Sequence, residues 1–103
     1  MAYVIIWQFE VTPEKQDEFE QIYGSSGEWA KLFARERSHI GTELLLDTRD
    51  ANRYLTIDKW ESEDAYETFR SVHEQEYQQI DERCEALTIS EQEIGRFSTT
   101  GEP

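Results

Sequence analysis

The side chains best able to carry chemistry in this 103-residue chain are His73 and Asp58. A histidine titrates close enough to neutral pH to act as a general base. His73 can equally be a core residue, hydrogen-bonded to Asp58 or to a backbone carbonyl. Asp58 falls on a half-buried strand face, where a carboxylate needs a partner, either His73 or Arg70. The two residues therefore predict acid–base chemistry, with a structural role as the alternative for each.

Large aromatic side chains are expected around these two groups. The strand and helix periods bring one set together between a sheet and its helices: Trp7, Phe9, Tyr54, Trp60, Tyr66, Phe69 and Tyr77, with Thr56, Asp58 and His73 pointing into the same space. Flat walls with a few polar groups suit a planar aromatic or quinone-like ligand. The alternative is that these rings are simply core, but so many are hard to pack in a small domain without leaving space.

The elements that must position these residues follow from hydrophobic periodicity. The sequence predicts strands at 3–11, 40–47, 53–60 and 86–97, helices at 13–23, 28–37 and from a Ser62 cap to about 84, and a mobile tail at 98–103. Gly95 marks a bulge or a close approach within the last strand. The order β-α-β-β-α-β is the ferredoxin-like α+β arrangement, in which helices cover one face of an antiparallel sheet.

The other face of this sheet is apolar as well. Val4, Ile6, Leu55 and Ile57 point away from the helices and would be wet in a monomer. An exposed apolar surface of this size usually has a partner. The simplest partner is a second copy, sheet against sheet, so a homodimer is predicted.

Composition and missing motifs exclude several functions. The net charge of −13 argues against nucleic-acid partners and against an anionic membrane surface. No apolar run approaches the length of a membrane helix, no signal peptide is expected, and the single cysteine fits a reducing, cytoplasmic location. Dinucleotide-binding, phosphate-binding and zinc-hydrolase motifs are missing, and two histidines with one cysteine are too few for a transition-metal site. We therefore predict no cofactor and no metal.

Several segments resemble the antibiotic biosynthesis monooxygenase (ABM) domain family over about residues 3–97. They are the opening YVIIWQFEVTPEKQDEFE, then GEWAKLF, GTELL, and YLTIDKWESEDAYETF. The resemblance implies a dimeric α+β barrel with a ferredoxin-like protomer at 1–97, followed by the flexible tail. The family includes cofactor-independent monooxygenases of polyketide quinones, haem-degrading enzymes and isomerases of signal molecules.

The resemblance also implies site residues. Trp60 and Tyr66 are similar in place to a Trp and a Tyr of the quinone-forming branch, whose Asn four residues before the Trp is Thr56 here. In the haem-degrading branch, an Asn stands where this chain has Trp7 and a Trp where it has Phe69, so haem degradation is disfavoured.

The mechanism implied by the family needs neither flavin nor metal. A phenol or anthrone-like substrate would lie against Trp7, Trp60 and Phe69. His73 or Asp58 as base, or a hydrogen bond from Tyr66, would favour its enolate, which then reacts with oxygen. The alternatives are a non-catalytic dimeric barrel that binds a small aromatic molecule, and a cofactor-free isomerase that moves a proton without oxygen.

Overall fold

Four strands form one antiparallel sheet in the computed structural model, which describes residues 1–100. The strands are β1 (Tyr3–Val11), β2 (His39–Leu46), β3 (Arg53–Trp60) and β4 (Thr88–Ser98). Their order across the sheet is β2-β3-β1-β4. The hairpin β2–β3 therefore pairs with the central strand β1, as the sequence predicts.

The helices lie on one face of this sheet. They are α1 (Gln16–Tyr23), α2 (Glu28–Phe33), α3 (Glu63–Val72) and α4 (Glu74–Cys84), with single 3₁₀ turns at Pro13–Lys15 and Glu85–Leu87. Each helical connection of the predicted β-α-β-β-α-β order is thus divided into two helices. The ferredoxin-like α+β fold is confirmed, and none of the helices within residues 1–100 is long and apolar enough to cross a membrane.

Two predicted helix boundaries are wrong. The helix predicted from Ser62 to about residue 84 breaks at His73, whose backbone angles (φ −111°, ψ 27°) leave the helical region. The His73 amide closes α3 on the Phe69 carbonyl, and its own carbonyl accepts the Tyr77 amide, which begins α4. The second helical piece ends at Phe33 rather than near 37, because the bonds that follow it connect residues three apart, as from Glu36 to Phe33.

The strand face toward the helices carries the core. Ile5, Phe9 and Val11 of β1 are buried, and so are Tyr54 and Trp60 of β3. This alternation follows from the period of two along a strand, and it confirms the predicted inner face. Aromatic rings therefore dominate the space between sheet and helices.

The opposite face of the sheet is apolar and uncovered. Register places Ile6 beside Ile57 and Leu45 beside Leu55, while Val4 pairs with Phe97 on β4. Leu45 and Phe97 are 41% and 47% exposed. We call the six residues Val4, Ile6, Leu45, Leu55, Ile57 and Phe97 the open sheet face.

The last strand is irregular near Gly95, as predicted. Its register against β1 shifts between Ile6 and Trp7, directly beside Gly95. The Phe97 ring lies only 2.8 Å from the position that a Cβ on Gly95 would occupy. A side chain at this position would therefore have to displace the exposed Phe97 ring.

The first two residues of the predicted tail, 98 and 99, continue the sheet structure. Ser98 is the last residue of β4, and the Thr99 amide donates to the Ala2 carbonyl at 3.0 Å. Residues 101–103 of the predicted tail lie outside the described residues.

Candidate active site

The aromatic side chains do not fill the interior. A cavity of about 260 Å³ lies between the sheet and the helices. Seven of the side chains predicted from the sequence line it: Trp7, Phe9, Thr56, Asp58, Trp60, Tyr66 and Tyr77. All four strands and all four helices contribute to its wall, so the complete fold is needed to form it.

Three of the predicted side chains lie elsewhere. Tyr54 packs beneath α1, where its hydroxyl donates to Glu20 Oε2 at 2.5 Å. Phe69 is fully buried between Phe33 and Trp60, with ring centroids 5.3 and 4.8 Å away. These two rings belong to the packed part of the interior.

His73 is the third residue outside the cavity wall. Its Nε2 lies 3.0 Å from Glu36 Oε1, and its ring packs 5.3 Å from that of Phe69. The break between α3 and α4 explains this position, because the predicted continuous stripe would have pointed His73 inward. A hydrogen bond to Asp58, one of the predicted alternatives for His73, does not form.

Asp58 faces the cavity from the middle of β3. Its Oδ1 accepts a hydrogen bond from Thr42 Oγ1 at 2.8 Å, so the predicted partners His73 and Arg70 are wrong and Thr42 takes their place. Burial raises the pKa of Asp58 to about 6, and the smaller effect of the Thr42 hydrogen bond opposes this rise. A carboxyl group with this pKa is mostly ionised at neutral pH and still readily exchanges a proton.

Arg70 brings a positive charge to the same cavity. Its Nη1 donates to the Tyr66 hydroxyl at 3.3 Å, and its Cζ lies 3.8 Å from the centroid of the Tyr77 ring. The first contact leaves the Tyr66 proton free for another acceptor, since a phenol both donates and accepts. The second is a cation–π contact that holds the guanidinium against the wall.

Three buried N–H groups of the lining side chains have no hydrogen-bond partner within residues 1–100. They are Nε of Arg70 and Nε1 of both Trp60 and Trp29. Buried polar atoms are nearly always paired in folded proteins, so each exception needs an explanation.

Carboxyl groups predominate among the charges on the described wall. Besides Asp58, the exposed residues Asp81 and Glu91 contribute to it, against the single guanidinium of Arg70. This balance of charge disfavours ligands that arrive as anions.

Several lining residues were missed in the sequence, although signals for some of them exist. Arg70 stands four residues after Tyr66, and Asp81 four after Tyr77, so each pair shares one helix face. Thr42 could not be found in this way, because the sequence of β2 does not indicate which of its two faces turns toward the helices. No group of three or more His, Cys, Asp or Glu side chains within residues 1–100 is arranged to hold a metal ion.

The chain is similar to one known protein family and to several solved structures. The antibiotic biosynthesis monooxygenase family matches residues 2–82. SnoaB, a cofactor-independent oxygenase from Streptomyces nogalater, has a TM-score of 0.79 at 22% identity, covering 98% of this chain and 95% of that one. A conserved protein from Methanosarcina mazei has a TM-score of 0.74 at 12% identity, covering 97% and 94%. PA3566 from Pseudomonas aeruginosa has a TM-score of 0.69 at 16% identity, covering 97% and 95%.

No curated protein sequence is significantly similar to the chain. At these low identities, the likeness to the solved structures establishes the fold alone.

Proposed function

The chain belongs to the antibiotic biosynthesis monooxygenase family, and from that premise we propose that it is a cofactor-independent monooxygenase acting on a small aromatic or quinone-like compound. The observation that carries the proposal is the ring-walled cavity with the buried carboxyl group of Asp58 in its wall. A base of this kind fits a reaction that begins by removing a proton.

The walls of the cavity favour a planar ligand of modest size. Trp7, Phe9 and Tyr77 supply flat apolar surface. The volume of about 260 Å³ lies just below the range of about 300–1,000 Å³ usual for ligand pockets. A compound of two or three fused rings fits these limits better than a larger one.

The unpaired N–H groups in the described cavity wall favour a ligand that carries an acceptor oxygen. Arg70 Nε and Trp60 Nε1 are buried without partners among residues 1–100, and an acceptor oxygen would give them one after a small adjustment of the side chains. The acidic wall disfavours a carboxylate ligand, so a neutral phenol or ketone is preferred.

The proposed reaction begins at Asp58. Its carboxylate takes a proton from the substrate, and the negative charge that develops on the substrate oxygen is stabilised by Arg70 and by the Tyr66 hydroxyl. The electron-rich carbanion then reacts with O₂. For an anthrone, one oxygen atom becomes the new carbonyl and the other leaves as hydroxide with the second hydrogen of the ring carbon. This hydroxide combines with a proton in place of the one that Asp58 removed, so the overall products are the quinone and water.

The test is oxygen uptake with anthrone as substrate. Asp58→Asn should lower kcat about 100-fold, because it removes the base, and Tyr66→Phe should lower it about tenfold. Tyr54→Phe is the matched control, since that hydroxyl is bonded to Glu20 away from the cavity. Unchanged rates in both Asp58→Asn and Tyr66→Phe would remove these residues from the mechanism.

Anaerobic measurements separate this proposal from the other two functions. A monooxygenase stops without oxygen, whereas an isomerase continues to turn over its substrate. A protein that only binds would show saturable quenching of tryptophan fluorescence and no turnover under either condition.

We also propose that two copies pair through the open sheet face. It presents contiguous apolar side chains from all four strands, and a self-complementary surface of this kind suits a two-fold dimer. Light scattering at micromolar concentration should give twice the chain mass. Ile57→Glu should give a monomer, whereas Val72→Glu, at an exposed apolar residue on α3, should not.

A further inference from the structure

A chain of two hydrogen bonds leads from the cavity to the edge of the sheet. Thr42 Oγ1 lies 2.8 Å from Asp58 Oδ1, and His39 Nε2 lies 3.0 Å from the same Thr42 oxygen. Asp58 and Thr42 line the cavity, whereas His39 does not line it and is half-buried. The three side chains therefore connect the proposed base to a partly exposed imidazole.

A β-bulge in β2 creates this arrangement. His39 pairs with Trp60, but it is Gly41, two residues on, that pairs with Lys59, so Ile40 is an extra residue in the strand. In a regular strand, residues 39 and 42 would point to opposite faces. The extra residue resets the alternation, and both side chains point toward the helices.

The His39 ring is held in place by aromatic contacts. It packs edge-on against Trp60, with centroids 4.8 Å apart and planes at 62°, and lies 5.3 Å from the Phe33 ring. These contacts restrict its rotation and keep Nε2 directed at Thr42.

We propose that His39 and Thr42 are positioning residues of a proton relay that carries the proton taken up by Asp58 out of the cavity. This proposal rests on the proposed function in one respect, namely that Asp58 accepts the substrate proton.

The proton transfer along the relay needs no reactant besides these three side chains and solvent. Once Asp58 is protonated, the Thr42 hydroxyl rotates away from it, so that Oγ1 accepts from the carboxylic acid and donates to His39 Nε2, the unprotonated nitrogen of the neutral ring. Shifting both protons leaves Asp58 as carboxylate, Thr42 as hydroxyl and His39 as imidazolium, with every heavy atom in place. His39 then releases its proton to solvent, and the site is ready for the next substrate.

The two ends of the relay are suited to exchange a proton. Burial raises the pKa of Asp58 to about 6 and lowers that of His39 from its usual value, so the two approach one another. His39 contacts the uncharged rings of Phe33 and Trp60. The charged and titratable side chains that share the cavity with Asp58 come from the helices and β4: Tyr23, Tyr66, Arg70, Tyr77, Asp81 and Glu91.

Oxygen uptake with anthrone provides the kinetic test. Thr42→Val and His39→Gln should each lower kcat about tenfold with KM unchanged, less than the roughly 100-fold loss on removing the base itself. Thr42→Ser should recover most of the rate that Thr42→Val loses, and added imidazole should restore His39→Ala. Thr68→Val on the exposed surface of α3 is the matched control. If Thr42→Val and His39→Gln keep the wild-type kcat and pH profile while Asp58→Asn loses activity, the relay is wrong and the proposed function stands.

A titration without substrate tests the relay independently. Carboxyl ¹³C and imidazole ¹⁵N shifts report the midpoints of Asp58 and His39. Thr42→Val should raise the Asp58 midpoint, because it removes a hydrogen bond to the charged form, and Thr42→Ser should leave it unchanged. The His39 midpoint should fall in Asp58→Asn, where the linked negative charge is lost. Midpoints that do not respond to these changes would overturn the relay.

If the wild-type protein consumes no oxygen with anthrone, the proposed function fails, and this titration still decides whether the three groups are coupled.

Discussion

The interior has two ends that are built from similar residues and do different things. Beneath α1, Phe19 packs 4.9 Å from Tyr54, whose hydroxyl is satisfied by Glu20, and stacks at 4.1 Å on Tyr23, a ring that also lines the cavity. Toward α3, rings of the same kinds line a cavity, and Arg70 Nε has no partner in the described part of the chain. Aromatic content alone therefore does not distinguish a core from a binding site. What separates the two ends is whether the polar atoms among the rings find partners within the chain.

The largest expected effect is at the packed end. Phe19 is fully buried among three aromatic rings, so Phe19→Ala should lower the free energy of unfolding by about 3–5 kcal/mol. Trp7→Ala, at a half-buried ring on the cavity wall, should lower it by less, because space already exists beside that side chain. Urea denaturation measures both. Equal losses would contradict the division of the interior into two ends.

The second effect depends on pH and belongs to the cavity. Because the pKa of Asp58 is about 6 in the folded protein, above its value in an unfolded chain, the folded state binds this proton more tightly. The stabilisation that comes from this tighter proton binding is therefore complete below about pH 4 and is lost as the pH rises through about 6.

Asp58→Asn removes this dependence. Relative to wild type, the variant should change little in stability at pH 4 and gain up to about 3 kcal/mol at pH 8, since each pKa unit corresponds to about 1.4 kcal/mol. Urea denaturation at the two pH values measures the difference, with the exposed Asp17→Asn on α1 as control. A gain of the same size at both pH values would show that the ionisation of Asp58 is not its cause.

Two tyrosine hydroxyls, one at each end of the interior, should differ in their contribution to stability. Tyr54→Phe should lower the free energy of unfolding by about 2 kcal/mol, because it removes a hydrogen bond to the Glu20 carboxylate. Tyr66→Phe loses only a 3.3 Å contact with Arg70, so its effect on stability should be smaller. Thermal and urea unfolding of the two variants should rank them in this order. The reverse order would mean that the Tyr66 hydroxyl serves the fold.

The smallest expected effect concerns the start of α3, beside the cavity. Ser62 Oγ accepts the Ala65 amide at 3.1 Å and begins α3, the helix that carries Tyr66 and Arg70. Ser62→Ala should lower the free energy of unfolding by about 1 kcal/mol, and Ser62→Asp should keep most of it. Equal stability of Ser62→Ala and wild type would show that packing alone fixes the start of α3.

Sequence periodicity could predict the strands, their inner face and seven of the cavity residues, because alternation along β1 and β3 is strict. It could not assign the two ends, since Tyr54 and Trp60 lie on the same face of one strand and differ only in their distant neighbours. The break at His73 was missed because the apolar stripe continues through it on both sides. His39 was missed because the extra residue Ile40 places it on the same face as Thr42, whereas regular alternation would put the two on opposite faces.

That extra residue also determines how variation within the family should be judged. A relative could retain a histidine, a threonine and an aspartate in equivalent positions and still lack the connection, if its second strand ran without the residue that corresponds to Ile40. Deleting Ile40 would turn the imidazole to the other side of the sheet, with every participating side chain still encoded. Gaps in an alignment at this point therefore carry functional information that residue identities do not.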